Sequence, residues 1–206
     1  MTTIKKGSRG SDVKALQLKL NLMPDGTFGP LTEEAVREFQ RANGLKVDGI
    51  VGPATWGKLG LTTTTINRKI TEIIVHYTAT PQGEDYTVDQ VRQWHLARGF
   101  NDIGYHYLIG LDGKVSKGRD INIAGAHCTG HNTCSIGIAY VGGCPARSVK
   151  NWANIGLDTR TPAQKSTLRT LLKQLRQQFG ASIHGHNEFA SKPCPGFNAK
   201  EEYKDL

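Results

Sequence analysis

The stretch His184-Gly-His-Asn-Glu-Phe-Ala-Ser-Lys-Pro-Cys-Pro-Gly-Phe197 places the strongest demand on how this chain folds. It sets imidazole donors and a thiolate donor a few residues apart, with Lys192 between them and a proline on each side of Cys194. Imidazole nitrogen together with thiolate sulfur suits zinc better than magnesium, calcium or manganese, which prefer oxygen. Two local donors leave such a site incomplete, so a third must arrive from far away in sequence. The best candidate is His76, in Ile73-Ile-Val-His-Tyr-Thr-Ala-Thr80, a short apolar run that reads as a buried strand. Three protein donors and one open position make a catalytic zinc site rather than a structural one.

Residues 1–60 contain an internal repeat: Asp25-Gly-Thr-Phe-Gly-Pro-Leu-Thr32 recurs as Asp48-Gly-Ile-Val-Gly-Pro-Ala-Thr55. In each copy the Asp-Gly pair supplies a turn, and the proline starts a helix where its missing N–H costs little. Ser11 is placed to cap a helix carrying Val13, Leu16 and Leu20 on one face. Thr32 is placed to cap a second, with Val36 and Phe39 inward and Glu33, Glu34 and Glu38 wet, ending at Asn43-Gly44. A third, shorter helix holds Trp56 and Leu59. The expectation is a three-helix domain over 1–60. Leu61-Thr-Thr-Thr-Thr-Ile-Asn-Arg68 lacks helical periodicity, and 61–69 is expected to be a linker.

Residues 70–206 read as α/β, a mixed β-sheet flanked by helices, preceded by the small helical domain. Beyond the His76 strand, Thr87 and Gln90 form a capping-box pattern for a helix with Val88, Val91 and Trp94 that stops at Gly99. Tyr105–Ile109 reads as a strand that turns at Asp112-Gly113 into Lys114-Val115, and Ser135–Val141 as a second buried strand. Residues 142–160 read as an irregular surface loop. Thr161-Pro-Ala-Gln164 opens a helix whose stripe Leu168, Leu171, Leu172, Leu175 and Phe179 packs on the sheet before Gly180 ends it.

The 206 residues carry a formal net charge of +8, which attracts acidic partners. Lysine and arginine are spread without a dense run or interleaved aromatics, so no specific nucleic acid is expected, and anionic wall polymers fit better. No stretch is long and apolar enough to span a bilayer, and the first ten residues lack the apolar core of a signal peptide.

Several separated segments carry a family resemblance: Val75-His76, Arg92-Gln-Trp-His-Leu-Ala-Arg-Gly-Phe-Asn-Asp-Ile-Gly-Tyr-His106, Gly125-Ala-His127, Ser135-Ile-Gly-Ile138, Thr161-Pro-Ala-Gln164 and His186 to Cys194. With them, residues 70–203 resemble the zinc-dependent N-acetylmuramoyl-L-alanine amidases of bacteriophages, which share a fold with animal peptidoglycan recognition proteins. Residues 1–60 resemble the peptidoglycan-binding domain attached to many wall hydrolases. The resemblance implies Zn2+ held by His76, His186 and Cys194, the family spacing to Lys192 and Cys194 favouring His186 over its rival His184. It implies Tyr105 and Lys192 as catalytic groups and His127 as a substrate-side histidine. The reaction it implies is zinc-assisted hydrolysis of the amide between N-acetylmuramic acid and L-alanine in bacterial peptidoglycan, the work of a lytic endolysin. Such a protein is expected as a monomer, made in the host bacterial cytoplasm and let out by a separate membrane-permeabilising protein.

The remaining groups receive quieter roles. His95 and His106 are expected to satisfy buried backbone and His131 to be exposed. Glu188 lacks the helical His-Glu-x-x-His arrangement of a zinc-site base. With Cys194 given to metal, Cys128, Cys134 and Cys144 form an odd set expected to stay reduced. A non-catalytic recognition protein would be marked by loss of the cysteine ligand, and a muramidase by a carboxylate pair. A zinc peptidase of the stem peptides would need a histidine and an aspartate seven positions apart. His184-Gly-His186 imitates its second half, but Gly83 and Cys134 stand where the aspartate would be.

Overall fold

A computed structural model describes residues 1–60 and 68–206. The chain divides into two compact units, Met1–Thr65 and Ile66–Leu206. Most of the expected linker, residues 61–67, lies outside the described residues.

The N-terminal unit holds α1 (Ser11–Lys19), α2 (Pro30–Ala42) and α3 (Pro53–Lys58) around Ile4, Val13, Leu16, Phe28, Val36, Val51, Trp56 and Leu59. Pro30 and Pro53 each sit in the first turn of their helix, as the repeat predicts. The capping assignments need correction. Ser11 is the first helical residue behind Gly10, α2 starts behind Gly29, and neither helix has a side-chain cap. Thr32 lies inside α2 and is buried.

Thr32 is drawn inward by a glutamine. The buried Gln17 amide donates to Asp25 Oδ1 (2.7 Å), Thr27 O (3.0 Å) and Thr32 Oγ1 (3.2 Å), while Gly26 N–H donates to its Oε1 (2.9 Å). Gln40 repeats the set with Asp48 Oδ1 (3.1 Å), Ile50 O (2.9 Å), Thr55 Oγ1 (3.1 Å) and Gly49 N–H (2.9 Å). Each repeat is thus a turn wrapped around one fully satisfied amide, and the threonine that looks like a cap is part of its shell.

In the C-terminal unit the chain runs β1 (Glu72–Tyr77), β2 (Thr80–Pro81), α4 (Val88–Ala97), β3 (Tyr107–Ile109), β4 (Val115–Lys117), β5 (Ser135–Tyr140), β6 (Gly143–Cys144), α5 (Pro162–Phe179), β7 (Ser182–Gly185) and α6 (Ala199–Glu202). The main sheet has the order β4-β3-β5-β1-β7. β3, β5, β1 and β7 pair in parallel, and only β4 is antiparallel. The capping boxes at Thr87/Gln90 and Thr161/Gln164 both form.

Strand alternation decides which face carries chemistry. Ile73, Val75, Ile136, Ile138 and Tyr140 pack with Leu168, Leu172 and Leu175 of α5 in one core. The residues between them point to the other face, where Ala139 and Leu108 join Val91 of α4. His76 lies on that second face, paired in register with Ala139.

Two further expectations change. The strand expected from Tyr105 begins at Tyr107. The stretch 142–160 is more ordered than a surface loop: β6 pairs with β2, and Arg160 is buried, bound to Asp158 (2.8 Å), Glu202 (2.8 Å) and the Tyr203 hydroxyl (2.7 Å). A buried guanidinium demands such partners, and Glu202 and Tyr203 come from far along the chain.

The glutamine shells supply a test. Gln40→Leu leaves the Gly49 N–H without its partner and the Ile50 carbonyl with only the Thr55 hydroxyl at 3.4 Å, and should destabilise the N-terminal unit by about 2 kcal/mol. Urea unfolding of the whole chain, followed at the amide resonances of residues 1–60, reads this directly. A change below about 0.5 kcal/mol would mean that the amide is not structural.

Candidate metal centre

The parallel pairing of β7 with β1 brings the distant donors together. Val75 pairs with Gly185, so His186, the next residue, emerges beside His76 at the carboxyl ends of both strands. The His76 and His186 rings lie 4.5 Å apart between centroids. Cys194 returns in the following loop, where its Sγ accepts the Tyr77 N–H at 3.3 Å and stands 3.8 Å from His76 Nδ1. One ligand atom from each of His76, His186 and Cys194 lies within 4.8 Å of the others. His184, two residues before His186, is engaged elsewhere, its ring bound to Glu188 (2.9 Å) and Ser182 (2.8 Å). Glu188 also accepts the Gly185 N–H at 2.8 Å, so it shapes the turn that presents His186.

The electrostatics suit a metal. His76 is held well below the usual imidazole range by burial first, then by His127, His186 and Lys192. His186 is lowered by burial and by Lys192. Both rings are therefore neutral, the form in which nitrogen binds a metal. Burial pushes the Cys194 thiol up to about 12, opposed by the Tyr77 N–H and by Lys192. Two neutral imidazoles and a thiol fit zinc by donor chemistry, and among the described residues no carboxylate lines the adjoining groove to favour an oxygen-seeking ion.

That groove, about 580 Å³ in volume, is lined by Tyr105, His127, His186, Lys192 and Cys194 among others. The Tyr105 ring lies 5.3 Å from that of His76, and its hydroxyl is 3.5 Å from the Tyr77 carbonyl. Burial, with the neighbouring Cys194, raises the Tyr105 pKa, so it stays a neutral phenol able to donate a proton. Lys192 is exposed on the rim. His127 lines the groove but also backs the donor set, its Nδ1 3.0 Å from His76 Nε2. One of these nitrogens donates and the other accepts, which leaves His76 Nδ1 facing Cys194.

Small residues make room for the His127 ring. A Cβ at Gly125 or Gly137 would fall 2.3 Å or 2.5 Å from its Cδ2. Asn132 fixes its backbone, accepting N–H bonds from His127 (2.8 Å) and Cys128 (2.9 Å). Neither Asn132 nor the Tyr77 N–H carries a sequence signal. An asparagine in a glycine-rich turn reads as any loop residue, and a backbone donor has no residue type.

The quieter histidines divide. His95 Nδ1 accepts the Gly104 N–H at 2.8 Å, and His106 Nδ1 accepts that of Gly137 at 2.9 Å. His131 departs from its expected exposure: it is half-buried, 2.8 Å from Glu72 and stacked on Phe189 with centroids 3.9 Å apart. All four cysteines are free thiols.

A parallel-centred sheet with a two-histidine, one-cysteine set at its strand ends defines a scaffold that could hold a metal ion beside an open groove. The family model for N-acetylmuramoyl-L-alanine amidase matches residues 66–197, and that for a peptidoglycan binding domain matches residues 9–59. The chain is 40% identical over 137 residues to an endolysin of Klebsiella phage KP32, covering 66% of this chain and 87% of the relative. Among solved structures, the N-acetylmuramoyl-L-alanine amidase LysC from Clostridium intestinale URNW superposes with a TM-score of 0.55 at 29% identity, over 68% of this chain and 87% of that one. The recognition protein PGRP-SA of Apis mellifera shares the fold, with a TM-score of 0.54 at 21% identity over 68% of this chain and 85% of its own. The chain belongs to the N-acetylmuramoyl-L-alanine amidase family and is an enzyme of the endolysin kind.

His106 carries a pH signature. Its Nδ1 accepts from Gly137, and its Nε2 lies 3.1 Å from the Ile123 carbonyl and 2.9 Å from the Arg68 guanidinium. Burial, with the Arg68 cation nearby, lowers its pKa to about 4. The unfolded chain therefore binds a proton here first, and folding stability falls as pH drops from about 6.5 towards 4. Urea midpoints should decline through that window in the wild type and decline less in His106→Asn. Equal slopes would contradict a buried neutral imidazole.

Proposed function

We propose that this chain hydrolyses the amide joining the lactyl group of N-acetylmuramic acid to L-alanine of the peptidoglycan stem, using zinc held by His76, His186 and Cys194. The observation that carries the reading is the convergence of these three donor atoms within 4.8 Å beside an open groove, in a chain of the amidase family. A zinc ion there would supply Lewis-acid polarisation of the amide carbonyl and an acidified water at neutral pH.

The chain's own residues supply the rest. The Lys192 ammonium on the rim provides positive charge for the oxyanion that develops when the carbonyl is attacked. The Tyr105 phenol, kept protonated by burial, donates to that oxyanion or passes a proton toward the leaving amine. His127 holds the His76 ring in register through its 3.0 Å contact, and one face of it remains open to the substrate groove. The phage-type role follows: residues 1–60 bind the wall, 61–69 tether, and 70–206 cut. The protein works as a monomer, made in the host cytoplasm and freed by a separate membrane-permeabilising partner. The tether keeps the catalytic unit at high local concentration near its substrate.

Digestion of purified peptidoglycan tests the reading. New L-alanine amino termini should appear, vanish with a chelator and return with zinc, while reducing sugar ends stay constant. Tyr105→Phe should lower kcat about a hundredfold with little change in KM. Reducing ends, or termini from within the peptide, would replace this reading with a muramidase or a peptidase. Wall binding without any cleavage would make the chain a recognition protein.

A further inference from the structure

Arg98 is the C-cap residue of α4, and its guanidinium lies over the Phe100 ring, 5.3 Å from the centroid. Phe100 stacks on His95 with centroids 5.1 Å apart, and His95 meets Tyr105 at 5.3 Å. Tyr105 in turn meets His76 at 5.3 Å. A continuous line of rings therefore runs from the donor set along one wall of the groove and ends at a cation.

That cation is unspent. The other α4 arginine, Arg92, is paired with Asp89 and Asp102. Nearby Arg119 donates to the carbonyls of Ile103 (2.8 Å), Ala124 (2.9 Å) and Asp102 (3.2 Å). Arg98 is exposed and, among the described residues, has no carboxylate within ion-pair distance. Among the described residues, the groove lining contains Arg98 and Lys192 but no aspartate or glutamate. Helix-end electrostatics explain a basic residue at a C-cap. They do not explain why a guanidinium braced on an aromatic ring faces an acid-free groove.

We infer that Arg98, braced by Phe100, is a specificity-determining residue that grips a carboxylate on the peptide part of the substrate. The inference rests on the peptide-amide reading above and extends it along the groove. Lys192 serves the reacting carbonyl, whereas Arg98 sits at the far end of the ring stack, reached by a few residues of extended peptide at about 3.3 Å each. A planar guanidinium presents paired N–H donors matched to a carboxylate, which an ammonium does not. A stem peptide carries such a group at its end.

The test is a binding titration on the full chain, followed by the NMR signals of Trp94 and Phe100. The probes are an acylated tripeptide with free carboxylates and its twin with those carboxylates amidated. The wild type should bind the free form about tenfold tighter than the amidated one. Arg98→Gln should erase that preference while leaving affinity for the amidated twin unchanged, and Arg98→Lys should restore part of it. A wild type that does not distinguish the twins would overturn the inference, as would an Arg98→Gln variant that weakens both equally. The titration reads binding rather than bond cleavage, so peptidoglycan digestion without new alanine termini would sink the amidase reading and leave this result standing by itself.

Discussion

The register of β7 against β1 is the constraint on which the site depends. Pairing Val75 with Gly185 puts His186 beside His76 and lets the loop that follows return Cys194 to the Tyr77 N–H. A slip of one residue would exchange the faces of β7 and turn His186 away from the donor set. The core under α5 opposes such a slip, because Ile183 of β7, paired with Ile73 and buried in that core, would be turned out of it. Core packing thus sets the position of the chemistry.

Around the donor set, the second face of the sheet is built the other way, from small and polar residues. Gly137 and Ala139 on β5 leave the space that the His76 and His127 rings fill. Burying neutral imidazoles and a thiol costs solvation, and the structure offsets it with backbone: Gly137 N–H to His106, Gly104 N–H to His95, Tyr77 N–H to Cys194. The N-terminal unit follows the same rule with Gln17 and Gln40, each an amide surrounded by the turn it organises. In both units a buried polar side chain fixes a turn that apolar contacts alone would leave loose.

Much of this was legible in the chain, and what was not has physical reasons. The α5 stripe, both capping boxes and the Asp112-Gly113 turn depend on short-range rules, and they form as the sequence predicts. The three candidate donors, with Tyr105, His127 and Lys192, were legible as separate motifs, and the structure brings the three donor atoms within 4.8 Å of one another beside a groove that Tyr105, His127 and Lys192 line. Hidden were contacts whose partners lie far apart or carry no side-chain label. Thr32 reads as a cap because the rule is local, but it answers to Gln17, fifteen positions earlier. His131 reads as exposed because neither Glu72 nor Phe189 is near it in sequence. Arg160 reads as a loop residue because its acidic partner Glu202 and its ring Phe197 come from the last residues of the chain.

The central claim is that His76, His186 and Cys194 together hold one divalent ion. Cobalt substitution tests it most directly, because a tetrahedral Co(II) with one thiolate ligand absorbs through a sulfur-to-metal charge-transfer band. One equivalent of cobalt per chain should bind, with that band present in the wild type and absent in Cys194→Ser, although Cys128, Cys134 and Cys144 remain. A band that survives the substitution, or a chain that retains no stoichiometric metal, would contradict it.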